Sequence, residues 1–270
     1  CAGDLGSTTL LGGNIAITGS IGDQQAAAVG QACLQPGMAK ATYGTGIFVL
    51  AHSGATPPVS AHRLLATVAW RIAGQATYAV EGSIFIGGAA VQWLRDGLGI
   101  ITASAETEAL AASVPDSVLI PAFAGMGAPH WRADVRGLLT GLSGGTTRAH
   151  IARATLEAMG QQTADLLDAL AADGVVAAKL RVDGGMVAND WMCQDIADTL
   201  GVPVERPRVI ETTALGAAMC AGVGAGLFAD LTAAAAMAQP DRVFAPVIAA
   251  AARGQRRAEW AHAVRQALTQ

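Results

Sequence analysis

Three glycine turns give this sequence residue types suited to phosphate binding. Gly44-Thr45-Gly46 lies between two apolar stretches, which predicts a hairpin tip where backbone N–H groups approach an anion and Thr45 adds a hydroxyl donor. Asp183-Gly184-Gly185 falls between a short strand and a helix, a position where ligands bind in α/β folds. Gly87-Gly88 opens another helix, whose dipole favours phosphate. Each turn alone is better explained as a structural loop, but together they indicate a phosphate-bearing ligand.

Asp23 is the acidic residue with the strongest claim to a chemical role. It precedes a predicted helix that starts at Gln24, so its side chain could cap that helix and contribute about 1 kcal/mol to stability. The same carboxylate could act as a general base. Position alone leaves both roles open, with the cap slightly favoured.

One hydrolase motif occurs, because Gly141-Leu142-Ser143-Gly144-Gly145 matches G-x-S-x-G. The serine of such a motif lies on a sharp elbow, and a helix starts at once to build the oxyanion hole. Here residues 144–147 intervene, and Thr147 is itself predicted to cap the helix that follows. The motif is therefore interpreted as a glycine-rich turn, and a serine hydrolase that uses Ser143 is retained as the alternative.

Other searches exclude whole classes of site. Lys40 and Lys179 each follow alanine, so no P-loop is present, and no G-x-G-x-x-G dinucleotide motif occurs. The five histidines never fall at metal-ligand spacing, so no protein metal site is expected. The four cysteines are widely spaced, which favours free thiols in a reducing cytoplasm over disulfides. The scarcity of lysine is attributed to genomic base composition.

The composition excludes disorder and nucleic-acid binding. Of the 270 residues, 52% are hydrophobic and 14% are charged, which supplies a sizeable core. A net charge of −4 provides no basic surface for a nucleic acid. The longest tempting uncharged stretch, residues 212–229, is rich in Ala, Gly and Thr, so we expect a closely packed buried helix there and no membrane span. Residues 1–20 lack a signal-peptide pattern, and because the chain opens with Cys1 we expect it to be cut from something longer.

Alternating strand and helix patterns predict an α/β fold. Strands are expected at residues 14–18, 64–70, 76–81, 180–182 and 202–205, with a strand–turn–strand unit at 40–50. Helices are expected at residues 24–34, 88–98, 147–172, 187–200, 214–227 and 258–268. Residues 115–145 are interpreted as loops around one or two short strands, and residues 240–257 as a linker.

Several segments, taken in order, resemble the C-terminal half of the FGGY family of carbohydrate kinases. Gly22-Asp23-Gln24-Gln25-Ala26-Ala27 is similar to the family's catalytic segment, in the Asp-Gln-Gln form of the members that act on glycerol. Residues 41–46 resemble the phosphate hairpin of the family, and residues 181–185 with Ala188-Asn189 resemble its adenosine-binding turn. Further matches lie at residues 81–96, 121–131 and 137–157. The similarity covers residues 14–244.

The resemblance implies an α/β domain of the actin-like ATPase, ribonuclease-H-like type. It divides the chain into a lead-in over residues 1–13, the nucleotide-binding FGGY C-terminal domain over residues 14–244, and a tail with a helix over residues 245–270. It also implies a missing N-terminal domain, which in the family supplies another phosphate hairpin and most of the side chains that hold the polyol. A homo-oligomer is left open.

The implied activity is ATP-dependent phosphorylation of a polyol or sugar hydroxyl in the cytoplasm, with glycerol converted to glycerol 3-phosphate as the expected reaction. By the resemblance, Asp23 accepts the proton of the attacking hydroxyl and Gln24 bonds another hydroxyl of the polyol. Thr45 contacts the terminal phosphates of ATP. The nucleotide pocket is lined by Gly88, Gln92, Gly185 and Asn189.

Mg²⁺ is the implied companion of ATP, and phosphates and water would hold most of its ligand positions. This is compatible with the lack of a metal-binding cluster in the sequence. Two alternatives stay open beside the hydrolase: a kinase of the same family for another small polyol or sugar, and a non-catalytic nucleotide-binding module.

Overall fold

The computed structural model of the chain describes residues 1–115 and 118–269. Its strands are β1 (Ser7–Thr8), β2 (Ile15–Ala16), β3 (Ala39–Tyr43), β4 (Ile47–Gly54), β5 (Leu65–Ile72), β6 (Gln75–Ile84), β7 (Val118–Ile120), β8 (Leu138–Thr140), β9 (Leu180–Asp183), β10 (Val204–Pro207) and β11 (Pro240–Phe244). Its helices are α1 (Asp23–Gly30), α2 (Gly88–Gln92), α3 (Glu106–Ala112), α4 (Arg148–Ala172), α5 (Asp190–Leu200), α6 (Thr212–Gly224), α7 (Leu231–Ala234) and α8 (Ala250–Leu268). A π-helical turn (Trp93–Gly97) extends α2, and 3₁₀ turns occur at Gly185–Ala188 and Ala235–Met237.

A seven-stranded sheet of order β11-β10-β9-β3-β4-β6-β5 organises the molecule. β3, β9 and β10 run parallel to one another, whereas β4, β6 and β5 continue from β3 as antiparallel neighbours. The register places Thr42 of β3 opposite Phe48 of β4 on one side and Asp183 of β9 on the other. Directly paired residues point to the same face of a sheet, so these three side chains share a face.

The opposite face is covered by α4, the longest helix. Tyr43 and Val49 point toward it and join a core cluster with Leu156 and Met159 of α4. The Tyr43 hydroxyl is hydrogen bonded to Thr163 Oγ1 at 2.8 Å, so its buried polar atom is satisfied. This side of the sheet is a packed core, which leaves the Thr42 face for a ligand.

α1 and α6 cover part of the Thr42 face, and two glycines let them approach closely. A Cβ atom added at Gly216 of α6 would overlap the carbonyl oxygen of Ala26, and one added at Gly30 of α1 would overlap the carbonyl oxygen of Thr212. The backbones of the two helices therefore touch directly. The 212–229 stretch begins with α6, so the expected helix is present, but Thr213, Ala214 and Ala218 are exposed and the expected burial holds for one face of the helix only. Among the described residues no helix is long and apolar enough to cross a membrane.

The α1–α6 contact predicts opposite effects for the same substitution at two glycines. Gly216→Ala is expected to lower the free energy of unfolding by about 1–3 kcal/mol or more, because one methyl group cannot fit between packed backbones. Gly254→Ala, in exposed α8 where an added Cβ meets nothing within 4 Å, is expected to raise it by about 0.5–1 kcal/mol. Urea unfolding of both variants measures the difference. Equal effects at the two sites would contradict the close contact.

The structure corrects the predicted linker over residues 240–257. β11 occupies its first part and pairs antiparallel with β10, with Val204 opposite Phe244. α8 begins at Ala250, earlier than predicted, and Trp260 of this helix is buried against α4 and β7. Arg256 of α8 forms an ion pair with the buried Asp195 at 2.5 Å. These partners come from distant parts of the chain, so the local sequence gave no sign of them.

Further elements differ from the prediction, among them β1 and α7, which were not predicted. The helix expected over residues 88–98 is α-helical only to Gln92, after which the π-helical turn places Leu94 in the core. α3 was not predicted. Residues 115–145 contain the two short strands β7 and β8, of which the prediction allowed one or two. Asp116 and Ser117 of this segment lie outside the described residues.

Candidate active site

Asp23 begins α1 on the open part of the Thr42 face. Gly22 occupies the N-cap position and no side chain caps the helix, so the interpretation of Asp23 as an N-cap is wrong. The Asp23 side chain is exposed, and its Oδ1 accepts the backbone N–H of Gln24 at 2.7 Å. The positive end of the helix dipole stabilises a carboxylate at this position. The charged group therefore stays accessible to a ligand.

Gln24 is hydrogen bonded to a fully buried lysine of the sheet. Lys40 of β3 is 0% exposed, and its Nζ donates hydrogen bonds to Gln24 Oε1 and, at 2.9 Å, to Thr42 Oγ1. Burial lowers the pKa of Lys40 to about 8, while the negative charges of Asp183 and Asp23 oppose that shift. Lys40 thus connects the start of α1 with the sheet.

The hairpin tip between β3 and β4 lies directly on the start of α2. The Gly87 N–H donates to the Thr45 carbonyl at 2.8 Å, and the Gly88 N–H donates to the Gly44 carbonyl at 2.8 Å. Since these N–H groups are already used, the expectation that they bind a phosphate is wrong. The same bonds hold Thr45, exposed at the tip, close to Gly88. Gly88 is itself buried, so in this chain neither its N–H group nor its surface is open to a ligand.

The turn after β9 requires glycine and buries a carboxylate. Gly184 has φ of +91°, and a Cβ atom there would lie 2.5 Å from the Tyr43 carbonyl oxygen. The neighbouring Asp183 is 2% exposed. Its Oδ2 accepts a hydrogen bond from the Thr212 hydroxyl, whereas Oδ1 has no hydrogen-bond partner among the described residues. The backbone of this turn, which follows β9, therefore packs directly against the end of β3.

Gly185 begins the 3₁₀ turn that follows, and Asn189 comes directly after it. Asn189 caps α5, because its Oδ1 accepts the Met192 N–H at 2.8 Å, and its Nδ2 donates to Thr107 Oγ1 at 3.2 Å. One amide hydrogen and one lone pair remain for a ligand. Gly185 is exposed, and a Cβ atom there would meet nothing within 4 Å, so the backbone faces open space. Open glycine backbone of this kind accommodates a nucleotide.

These segments form one continuous edge of the sheet. The Met186 side chain approaches to 3.1 Å of the point where a Cβ at Gly88 would lie, so the start of α2 contacts the turn after β9. Gln92 follows one turn along α2 and is exposed. The structure thus places on this edge the nucleotide-site candidates Thr45, Gly88, Gln92, Gly185 and Asn189. Lys40 joins Gln24 to this edge, because its Nζ donates hydrogen bonds to both Gln24 and Thr42. Asp23 directly precedes Gln24 in α1.

The sequence analysis missed three side chains of this face. Lys40 carries the sequence signal of a charged residue inside an otherwise apolar strand. Phe48 is 39% exposed beside Thr42, as an apolar surface next to the candidate polyol site. Glu81 of β6 lies in the same row as Lys40, and partial burial raises its pKa while the Lys40 charge opposes the shift.

Ser143 does not lie on the sharp strand-to-helix elbow that a serine hydrolase needs. β8 ends at Thr140 and α4 begins only at Arg148. The Ser143 hydroxyl accepts the Gly145 N–H at 3.3 Å, and the Ser143 N–H donates to Thr146 Oγ1 at 2.9 Å, so both bonds stay within the loop. The interpretation as a glycine-rich turn is confirmed.

Within residues 1–115 and 118–269, no group of three or more His, Cys, Asp or Glu side chains is placed to hold a metal ion. A divalent cation at this edge would therefore take most of its ligands from phosphates and water. Asp23 is the exposed acidic residue among the candidate site residues.

A model of the C-terminal domain of the FGGY family of carbohydrate kinases matches residues 39–225. The chain belongs to this family. The glycerol kinase of Rhodospirillum centenum is 56% identical over 260 residues, which cover 95% of the chain and 52% of that protein. The glycerol kinase of Aromatoleum aromaticum is 56% identical over 262 residues, which cover 96% and 53%. The chain spans about half the length of the curated relatives it matches.

Solved structures of the family have the same fold. The crystal structure of Plasmodium falciparum glycerol kinase with ADP matches with a TM-score of 0.89 and 35% identity, covering 95% of this chain and 52% of that one. The xylulose kinase of Rhodospirillum rubrum matches with a TM-score of 0.81 and 25% identity, covering 96% and 55%. The α/β fold of the actin-like, ribonuclease-H-like type expected from the sequence is confirmed.

Proposed function

We propose that the chain is the nucleotide-binding half of an ATP-dependent kinase that converts glycerol to glycerol 3-phosphate. The observation that carries the proposal is the exposed Asp23 carboxylate, followed by Gln24, beside a sheet edge lined by Thr45 and the Gly185 turn. The identity to glycerol kinases across nearly the whole chain supports glycerol as the substrate. In this proposal residues 14–244 form the working domain, and a cytoplasmic location supplies the ATP.

Asp23 is assigned the role of general base. It accepts the proton of one glycerol hydroxyl while that oxygen bonds to the terminal phosphorus of ATP and the bond from this phosphorus to the β-phosphate oxygen breaks. ADP leaves with the electron pair of the broken bond. Gln24 holds a second hydroxyl of glycerol. Because little covalent chemistry falls to the protein in phosphoryl transfer, positioning by these two residues is the main contribution of α1.

The nucleotide is assigned to the sheet edge. Thr45 contacts the terminal phosphates, and Gln92, Gly185 and Asn189 line the pocket together with the backbone around Gly88, which is itself buried against the hairpin tip. The Gly185 backbone faces open space and Asn189 keeps one free amide hydrogen, so these residues fit an adenine nucleotide. Mg²⁺ bound with ATP would neutralise phosphate charge. The remaining wall of the cleft is assigned to an N-terminal domain such as the matched relatives carry.

A chimeric enzyme tests this proposal. It joins the N-terminal half of the Rhodospirillum centenum glycerol kinase, which has no counterpart in this chain, to the chain itself. We expect ADP release with glycerol within about tenfold of the parent enzyme, because fully assembled sites position the reactants equally well. Xylitol, ribitol and D-xylulose serve as comparison substrates. A faster reaction with one of them would replace glycerol, and a folded chimera that binds ATP without turnover would indicate a binding module.

A further inference from the structure

We propose that Lys40 is a positioning residue of the active site: it orients the Gln24 amide so that Nε2 faces the polyol, and its charge balances the carboxylates beneath Asp23. The inference rests on the proposed function, because it assumes that Gln24 binds a hydroxyl of the substrate.

The hydrogen-bonding chemistry fixes the orientation of the amide. A lysine ammonium donates hydrogen bonds and cannot accept them, so the Gln24 atom that meets Lys40 Nζ must be the carbonyl oxygen Oε1. The Nε2 group, with two N–H donors, is left to face away from the sheet. Gln24 therefore binds a polyol hydroxyl through the hydroxyl oxygen. The proton of that hydroxyl stays free for another acceptor.

The charges around Lys40 are otherwise acidic. Asp23 of α1, Glu81 of β6 and Asp183 of β9 all act on its ammonium, and the Cys33 thiol is close behind. Arg181, opposite Lys40 in the register, is engaged by Glu205 at 3.0 Å. Lys40 is thus the cation that balances these carboxylates.

A packing role alone does not explain a buried lysine here. Burying an ammonium is costly, and a well-packed apolar residue of similar volume is often equally stable or more so. α1 is already held against α6 by the contacts at Gly30 and Gly216. Among the described residues no carboxylate lies within ion-pair distance of Lys40, and its bonds go to the neutral Gln24 and Thr42. The arrangement suits the orientation of an amide better than the stabilisation of a fold.

The experiment uses the chimera, four single variants and one double variant. Lys40→Met keeps the length and the apolar stem but removes the donor and the charge. We expect it to raise the KM for glycerol about 10- to 100-fold, the effect of losing a charge-assisted hydrogen bond, with the KM for ATP and the Tm little changed. Thr42→Val is the matched control, since it removes the other partner of Nζ and keeps the bond to Gln24. Its KM for glycerol should stay within about threefold.

A double-mutant cycle separates positioning from independent effects. If Lys40 acts through Gln24, adding Lys40→Met to Gln24→Ala should raise the KM for glycerol by less than about threefold. Additive effects would overturn the inference. Gln24→Glu tests the orientation without touching Lys40, because it keeps an acceptor for Nζ and removes the Nε2 donors. It should lose glycerol affinity as Gln24→Ala does, and normal affinity would overturn the assigned orientation even if Lys40→Met failed to fold.

The two proposals fail in different ways. If the unmodified chimera turns over no polyol, the proposed function is wrong and so is this inference. An active chimera in which Lys40→Met leaves the KM for glycerol unchanged removes the inference alone.

Discussion

Asp23→Asn in the chimera is expected to lower kcat with glycerol by about 10²–10⁴-fold, the usual contribution of a general base. The KM for ATP should change little, because the nucleotide is assigned to the Gly185 turn and the hairpin tip. Asparagine keeps the shape and an oxygen that can accept the Gln24 N–H, as Asp23 Oδ1 does at 2.7 Å. It removes the negative charge and the basic lone pair. The measurement is steady-state ADP release together with the Tm.

A second helix start supplies the matched control for this substitution. Asp230 is also exposed, and it caps α7 by accepting the Ala233 N–H at 2.8 Å. Asp230→Asn makes the same chemical change at a helix N-terminus away from the candidate site, so kcat should stay at the unmodified value. If Asp23→Asn also turns over within a few fold of the unmodified chimera, Asp23 only stabilises the start of α1.

The chain by itself is expected to release ADP from ATP and glycerol at least about 10³-fold more slowly than the chimera, because positioning supplies most of the catalysis in phosphoryl transfer. Asp23 is exposed on an open face, beside Phe48 at 39% and Leu65 at 46% exposure. The described residues offer only one wall for the substrate, and water reaches the carboxylate. ATP should bind weakly for the same reason.

This experiment is read in a coupled ADP-release assay and by calorimetric titration with ATP. The Asp23→Asn chain is the control, because a contaminating kinase from the expression host would give the same rate in both samples. Turnover by the unmodified chain near that of the chimera, and absent from Asp23→Asn, would show that this half suffices for catalysis.

Local sequence patterns predicted the parts of the fold whose signals are short-range. The hairpin around Thr45, the glycine turn at 184–185 and the helix that starts near Asp23 all carry their own turn residues or apolar periodicity. β11 and the first half of α8 were missed, since their stability comes from β10 and from the ion pair between Arg256 and Asp195. Such partners are visible only after folding.

The candidate site was predictable in its backbone turns but not in its charges. The family resemblance, more than position, favoured Asp23 as a base. The scarcity of lysine indicates base composition and no function, yet Lys40 lies fully buried against Gln24. The sequence also could not reveal that the N–H groups of Gly87 and Gly88 bond the hairpin carbonyls, because that contact joins segments about 40 residues apart.

The glycine contact between α1 and α6 sets the order in which the site assembles during synthesis. α6 follows α1 by about 190 residues in the sequence, and a ribosome adds about 5–20 residues per second. A newly made α1 therefore waits about 10–40 s before its partner emerges. Throughout that interval Ala28 and Val29, both 0% exposed in the folded chain, have no helix to cover them. Nascent chains that end before α6 carry Asp23 at the start of an α1 that lacks the helix packed against it in the folded protein.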